Sequence, residues 1–183
     1  MGYMKFSRVL LLVLGCVVAL TTGCGKKQQP TKPKVEITSL QRKEALTLVS
    51  EAELAKTLRD YPRAEGLYTK ATVLCPDTGD YWMNLGMVQV RLNKKPDAKK
   101  SYEAAADAYK DALESGGVDK KPDPDAGLQR VAMLALLGRL DEARTELANL
   151  AKRFPDDRQV KAFVQDKELD RMIQDPGFKG SAI

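Results

Sequence analysis

Three cysteines, Cys16, Cys24 and Cys75, are the side chains of this sequence best suited to nucleophilic chemistry or metal binding. A cysteine or serine nucleophile usually depends on a neighbouring base, most often histidine. The 183 residues include no histidine. Histidine-based acid–base catalysis, histidine metal sites and Cys–His or Ser–His nucleophile pairs are therefore excluded, and each cysteine has to be judged by its own surroundings.

Cys24 ends an N-terminal segment that has three distinct parts. Lys5 and Arg8 give it a positive start, Val9–Leu20 is almost wholly apolar, and small residues occupy positions 21–23. This layout is typical of a bacterial export signal. The apolar part is shorter than the roughly 20 residues that a membrane-spanning helix needs, which argues against a permanent transmembrane helix.

The small residues before Cys24 resemble the lipobox of bacterial lipoproteins, although Thr21 stands where leucine is usual. The resemblance covers the first 24 residues. It implies that residues 1–23 are a signal peptide, that the Cys24 thiol receives a lipid group, and that the chain is cut just before Cys24. Gly25 is not the aspartate that resembles an inner-membrane retention signal, so the outer membrane is favoured where the host has one.

Two other interpretations of the leader stay open, namely ordinary secretion with cleavage after Ala19 and an uncleaved anchor. If the leader is removed, Cys16 leaves with it. Cys75 is then the one cysteine of the folded body, so no disulfide forms inside that body. Residues 24–39 carry lysines, glutamines and two prolines without apolar periodicity, and we predict that they form a flexible tether.

The net charge of +5 would suggest a nucleic-acid partner if it were spread over the whole chain. Residues 1–39 hold six basic residues and one acidic residue. Of the totals of 30 and 25, this leaves 24 basic and 24 acidic residues from residue 40 onward. A neutral body lacks the positive field that binding to phosphate backbones requires, so nucleic-acid binding is not expected.

The sequence from residue 40 onward has helical apolar spacing and repeats itself. A small–aromatic–small triplet occurs twice, 34 residues apart, and a related triplet follows 45 residues later. Proline closes the first and third units at Pro76 and Pro155. The three triplets are Ala64, Tyr68 and Ala71, then Ala98, Tyr102 and Ala105, then Ala143, Leu147 and Leu150.

Trp82, Leu85 and Gly86, followed by the second triplet, resemble the tetratricopeptide repeat signature at its usual spacing. The resemblance implies an all-α, right-handed α-solenoid of about three helical hairpins, built for protein binding. We predict one domain over residues 40–183. Its repeats span about residues 45–78, 79–114 and 125–158, and a C-terminal capping helix lies within 159–183, with Phe178 packed back onto the third repeat.

Proteins of this family bind peptides along the face formed by the first helix of each hairpin. By register, the partner-binding groove is predicted to include Met83, Asn84, Met87, Val90, Arg91 and Leu128. The wider inner face would add Val49, Glu53, Lys56, Ala132 and Ala135. The alternative is that the methionines are packed by the C-terminal cap or by neighbouring helices. Asn84 matches the carboxylate clamp of some eukaryotic members, but Val49, Glu53, Asp125 and Gln129 do not, so no clamp is expected.

Other polar features are interpreted as structural. Cys75, next to Pro76, is predicted to be a packed residue and not a nucleophile. Asp123 and Asp125 are too few oxygen ligands for a calcium site. The insertion Ser115–Asp125 is predicted to be an exposed loop. A solvated face is expected for the basic cluster of Lys94, Lys95, Lys99 and Lys100, with an acidic partner or lipid headgroups as the alternative.

The sequence as a whole predicts a lipoprotein anchored to a bacterial membrane that acts as a protein-interaction adaptor, without catalysis, cofactor, metal or small-molecule substrate. The alternative is a self-associating structural or assembly-factor lipoprotein, because lipoproteins of this architecture resemble components of pilus and outer-membrane protein assembly.

Overall fold

The computed structural model describes residues 36–116 and 121–183, and nothing is described of the leader and tether before residue 36. Within these two ranges every regular element is an α-helix. The helices are α1 Ser39–Thr57, α2 Tyr61–Leu74, α3 Gly79–Arg91, α4 Lys95–Ser115, α5 Pro124–Leu136, α6 Leu140–Arg153, α7 Arg158–Gln165, α8 Glu168–Gln174 and α9 Pro176–Ser181.

The first six helices form three antiparallel hairpins, α1/α2, α3/α4 and α5/α6, stacked in chain order. The second helix of each hairpin packs on the first helix of the next, so α2 contacts α3 and α4 contacts α5. Each hairpin therefore covers the apolar side of its neighbour, and three buried clusters follow one another along the stack, linked by the partly buried Trp82 and Val49. This arrangement confirms the predicted all-α solenoid.

The three hairpin turns share one backbone geometry. A residue at the turn takes a left-handed φ, and the next N–H donates back to a carbonyl in the last turn of the first helix, as in a helix C-cap. The left-handed residues lie 34 and then 45 residues apart, which is the spacing of the sequence repeat. They are Arg59 (φ 60°), Asn93 (φ 59°) and Gly138 (φ 71°), and the bonds are Asp60 N to Ala55 O at 2.8 Å, Lys94 N to Gln89 O at 2.8 Å and Arg139 N to Leu134 O at 2.9 Å.

The helix starts are set by local chemistry. Thr38 begins α1 with a reciprocal capping box, in which its hydroxyl accepts from Gln41 N and its own N–H donates to Gln41 Oε1 at 2.9 Å. Asp60 caps α2 through Arg63 N, and Asp123 caps α5. Proline occupies the first turn of α2, α4, α5 and α9, where its missing N–H removes no helical bond.

Aromatic side chains fill the space between the helices. Tyr68 and Tyr102 are both completely buried, as are the alanines of their triplets. Tyr102 lies directly over Gly86, where an added Cβ would come within 2.5 Å of the tyrosine ring. The helices can therefore approach this closely only because residue 86 has no side chain.

The insertion after α4 is closed by a tight backbone approach. Gly116 has a φ of 60°, and a Cβ at this position would lie 2.1 Å from the Lys121 carbonyl oxygen. Both its φ and its contact therefore require glycine. Gly117, the next residue of the insertion, lies outside the described residues.

The C-terminal segment forms three short helices and not one capping helix. Lys167, with a φ of 51°, separates α7 from α8, and Asp175 ends α8 and caps α9. The breaks let the chain fold back, so α7, α8 and α9 all contact α5, and α9 also contacts α3. Phe178 packs against the core cluster that contains α5, as predicted.

Candidate partner-binding face

The face built by the first helices α1, α3 and α5 carries all the predicted groove residues. Met83, Asn84, Met87, Val90 and Arg91 lie on α3, and Leu128 lies on α5. The inner face is open or closed depending on what packs over each of these helices, and the two halves of the face differ in this respect.

The α5 half of the inner face is covered by the C-terminal tail, α7–α9. Tyr102 Oη donates a hydrogen bond to the Ser181 carbonyl at 3.0 Å, and Ile183 N donates to the Leu136 carbonyl at 2.9 Å. Phe178 and Ala182 pack against the same apolar cluster. The protein's own tail therefore occupies the part of the groove that was predicted to be free.

This tail corrects the prediction for Leu128. Its side chain is only 8% exposed and belongs to the core cluster, together with Ala132 and Ala135. All three residues lie on the side of α5 that the register assigns to the groove, and α7, α8 and α9 all pack against α5. Leu128 is therefore a core residue and offers little surface to a partner.

The groove residues of α3 divide into buried and exposed sets. Met83 and Val90 are partly buried and pack against the core cluster, so the alternative of internal packing holds for them. Met83 also lies beside Tyr109, whose Oη is 3.9 Å from its sulfur. Met87 is 37% exposed and Arg91 is exposed. Met87 and Arg91 are therefore the two predicted α3 residues with the most surface available to another molecule.

A polar cluster lies between α1 and α3, next to these exposed residues. Lys56 Nζ contacts Glu53 at 2.7 Å and donates to Asn84 Oδ1 at 3.2 Å, while the Tyr68 hydroxyl donates to Glu53. The Asn84 amide in turn donates to the Asp80 carbonyl at 3.0 Å. The four side chains come from three helices, and nothing in the residue spacing predicted that the Tyr68 hydroxyl reaches this face.

The electrostatics of the cluster follow from these bonds. Burial alone would raise the pKa of Glu53, but hydrogen bonds from Lys56 and Tyr68 outweigh it and hold that pKa below the ordinary value. Burial and the bond to Glu53 raise the pKa of Tyr68 well above its usual range. The cluster is therefore an ionised Glu53–Lys56 pair beside a neutral phenol, and most of its hydrogen-bonding capacity is used internally.

A tetratricopeptide repeat family model matches residues 49–116 and 97–158. The two matches together cover more than half of the chain and run from the first hairpin to the end of the third. The chain belongs to the tetratricopeptide repeat family. Repeats of this family are generally a protein-interaction fold, so a role in binding a protein partner is supported. No curated protein matches the sequence.

The hydrogen bonds inside the polar cluster limit the binding of a carboxylate ligand by this tetratricopeptide repeat domain. Asn84, the one residue that matches the carboxylate clamp, already uses its amide oxygen for Lys56 and its amide nitrogen for Asp80. The ionised Glu53 beside it would repel a second carboxylate. These internal bonds leave the Asn84 amide little capacity to bind the carboxylate of a partner.

Cys75 of the repeat domain is a packed residue. It is 1% exposed, and burial raises the pKa of its thiol, which disfavours the reactive thiolate. Asp123 is used as a helix cap, because its carboxylate accepts from Asp125 N at 3.0 Å and from Ala126 N at 3.4 Å. Among residues 36–116 and 121–183 no group of three or more potential metal ligands is present.

The four lysines at the start of α4 are all exposed. Lys94 pairs with Glu65 at 2.6 Å, and Lys100 pairs with Asp97 at 3.3 Å. Two of the four charges are therefore already balanced within the domain, which fits the solvated face expected for this cluster.

Cys24 and the apolar segment Val9–Leu20 lie outside the described residues. Of the helices in the described part, none has both the length and the apolar character needed to cross a bilayer. The proposal that this chain is attached to a membrane therefore rests on the leader sequence alone.

Proposed function

We propose that this protein is an envelope lipoprotein that binds a protein partner on the open α1–α3 part of its inner face and performs no catalysis. The observation that carries the partner site is the difference between the two halves of that face. Leu128 on α5 is buried in the core cluster, whereas Met87 and Arg91 on α3 stay exposed. Lipidation of Cys24 would hold the site at the membrane, at the outer membrane facing the periplasm where the host has one.

The chemistry of the open part indicates what a partner segment should bring. Met87 offers a flexible apolar contact, and methionine adapts to differently shaped apolar side chains. Arg91 offers an exposed cation one helical turn away. The partner segment that suits this surface has an apolar side chain for Met87 and an acidic side chain for Arg91.

Replacing Cys24 with alanine is expected to abolish lipid labelling, because the thiol is the acceptor in the proposed lipoprotein. The measurement is incorporation of an alkyne fatty-acid analogue into the full chain in bacterial cells, followed by fractionation of membranes. The unmodified chain should carry the label and sediment with membranes, and the Cys24→Ala chain should do neither.

Cys75→Ala is the matched control for this experiment, since Cys75 is a cysteine buried in the folded body. It should keep full labelling. Equal labelling of the Cys24→Ala chain would contradict the anchor. Labelling that is absent from every variant, together with release of a soluble chain cut after Ala19, would favour ordinary secretion.

Replacing Met87 with aspartate is expected to weaken partner binding by about tenfold or more, because it puts a charge in the apolar centre of the proposed site. The measurement is quantitative crosslinking of the intact protein in membranes, with the recovered partner compared between variants. Met87 is exposed, so the substitution should leave the fold intact, which circular dichroism checks.

Val73→Asp is the control for Met87→Asp. Val73 is 76% exposed on α2, a second helix of a hairpin, so the same kind of change falls outside the proposed site. Partner recovery should be unchanged in this variant. If Met87→Asp and Val73→Asp recover the partner equally, the α1–α3 face is not the binding site.

A further inference from the structure

The outer edge of α1 exposes an apolar stripe that nothing in the described structure covers. Leu40, Leu54 and Leu58 are 72%, 59% and 69% exposed, and their spacing places them on the helix side opposite the buried Ala45 and Ala52. We call this surface, formed by Leu40, Lys43, Thr47, Glu51, Leu54 and Leu58, the leading edge. In a longer solenoid a preceding hairpin would pack on it.

The two ends of the solenoid differ in how much of their apolar surface is buried by the described residues. At the C-terminal end, α7–α9 fold over the last hairpin and bury its apolar side. At the N-terminal end, Ile37 packs against the core of the first hairpin, but Leu40, Leu54 and Leu58 stay exposed among the described residues. Residues 25–34 contain neither an aliphatic nor an aromatic side chain and include two prolines. A terminal repeat normally needs a polar outer face for solubility. The exposed row of leucines therefore indicates that another molecule packs on this surface.

The hydroxyl groups on the leading edge and beside it already donate hydrogen bonds within α1, so another helix could pack over them without leaving them unpaired. Thr47 Oγ1 donates to the Lys43 carbonyl at 3.2 Å, and Ser50 Oγ donates to the Leu46 carbonyl at 2.9 Å. Thr57 Oγ1 does the same with the Glu53 carbonyl at 2.9 Å. Their hydroxyl donors are thus satisfied inside α1, and a helix packed over them would leave no donor unpaired.

The order of residues along the edge is self-complementary. In two antiparallel copies of α1 related by a two-fold axis at Thr47, residues equally far from Thr47 on either side face each other. Leu40 and Leu54 each lie seven positions away, and Lys43 and Glu51 each lie four positions away. Leucine would therefore meet leucine and lysine would meet glutamate, twice over, as an isologous interface requires. Glu44 would face the neutral Ser50.

The charged residues of this pattern are available for such pairing. Lys43 makes no ion pair with any residue of the described part of the chain, and Glu51 has only a long contact of 3.9 Å to Arg63. Both side chains lie on the exposed side of α1. Charge complementarity of this kind fixes the register and orientation of two packed helices.

We propose that the leading edge is a self-association surface whose occupant is a second copy of this chain, with the two α1 helices antiparallel and Thr47 at the two-fold axis. The pairing would join two solenoids through their first hairpins and bury Leu40 and Leu54 of each copy. The proposal rests on the repeat fold and on α1 alone. It depends neither on the lipid anchor nor on the partner site at Met87.

The test is site-directed thiol crosslinking of the full chain in whole cells. Thr47→Cys places a thiol at the proposed axis, and a short thiol-to-thiol crosslinker should convert it to a species of twice the chain mass. Thr69→Cys is the matched control, because Thr69 is also exposed and its hydroxyl also donates to its own helix, at 2.8 Å to the Glu65 carbonyl. We expect about tenfold more crosslinked dimer for Thr47→Cys than for Thr69→Cys.

Charge exchange then tests the register in the Thr47→Cys background. Lys43→Glu alone or Glu51→Lys alone puts like charges opposite each other at two symmetry-related places, and about tenfold less dimer is expected. The double variant restores opposite charges and should restore crosslinking, which a nonspecific loss of folding would not allow. Leu54→Asp should remove the dimer with circular dichroism unchanged.

Each other outcome overturns the proposal. Equal dimer from Thr47→Cys and Thr69→Cys would mean random collision. A crosslinked species of a different mass would mean that another protein covers the edge. A Thr47→Cys thiol that stays monomeric, and that is shielded from a water-soluble maleimide until detergent is added, would place the edge against lipid. Failure of the double charge variant to recover dimer would reject this register.

Discussion

Replacing Tyr102 with alanine should lower the free energy of unfolding by about 3–5 kcal/mol, the range found when a large buried aromatic side chain is removed. Tyr102 is completely buried, and it packs between α3 and α4 directly over Gly86. The change leaves a cavity and also removes the bond from Tyr102 Oη to the Ser181 carbonyl. Urea unfolding of residues 36–183, followed by circular dichroism, would measure it.

Tyr102→Phe separates the two contributions. It keeps the ring and removes only the hydroxyl, so it should lose about 0.5–1.5 kcal/mol, the usual net value of one hydrogen bond. It should also loosen the tail, which faster amide exchange at α9 would reveal. An alanine variant that unfolds at the urea concentration of the unchanged protein would contradict the core position of Tyr102.

The second large effect is expected at Gly86, where alanine should destabilise the domain by about 1–3 kcal/mol. The added methyl would lie 2.5 Å from Tyr102 Cε1, and the ring cannot withdraw because it is fully buried and bonded to the tail. Alanine is the better helix former by about 1 kcal/mol, so the loss occurs against the local preference. The midpoint of urea unfolding gives the sign and the size.

Gly66→Ala is the matched control, since Gly66 also lies inside a helix but has nothing within 4 Å of an added Cβ. Helix propensity acts there without a clash, so this variant should gain about 0.5–1 kcal/mol. Opposite signs at the two glycines would show that contact with Tyr102, and not helix formation, controls residue 86. Stabilisation by Gly86→Ala would mean that the helices are less closely packed than described.

The repeated hairpins could be predicted because their determinants are local. Ala64, Tyr68 and Ala71 recur 34 residues later, and each hairpin packs on the next hairpin along the chain. Glycine at 86 opposite tyrosine at 102 likewise lies within one hairpin. Contacts between residues this close in sequence produce a periodic residue pattern. That pattern is sufficient to predict the helices and which of them pair.

The exposure of the candidate site was harder to predict, because it depends on where the distant C-terminal tail packs. The register correctly placed Leu128 on the inner side of α5, but it contains no information about what covers that side. The residue spacing also did not predict the Tyr68 hydroxyl, which reaches Glu53 only once α1 and α2 have packed. Position on a helix face follows from sequence spacing, whereas exposure of that face follows from docking.

The sequence by itself determined an all-α repeat body, the absence of histidine chemistry and a leader that resembles a lipobox. Only the tertiary structure decided that the α5 half of the inner face is closed, that the α3 half stays open at Met87, and that no other part of residues 36–116 and 121–183 covers Leu40, Leu54 and Leu58 of α1. The physical reason is separation along the chain. The bond that fixes the tail joins Tyr102 and Ser181, 79 residues apart, and a contact at that distance leaves no period in the sequence.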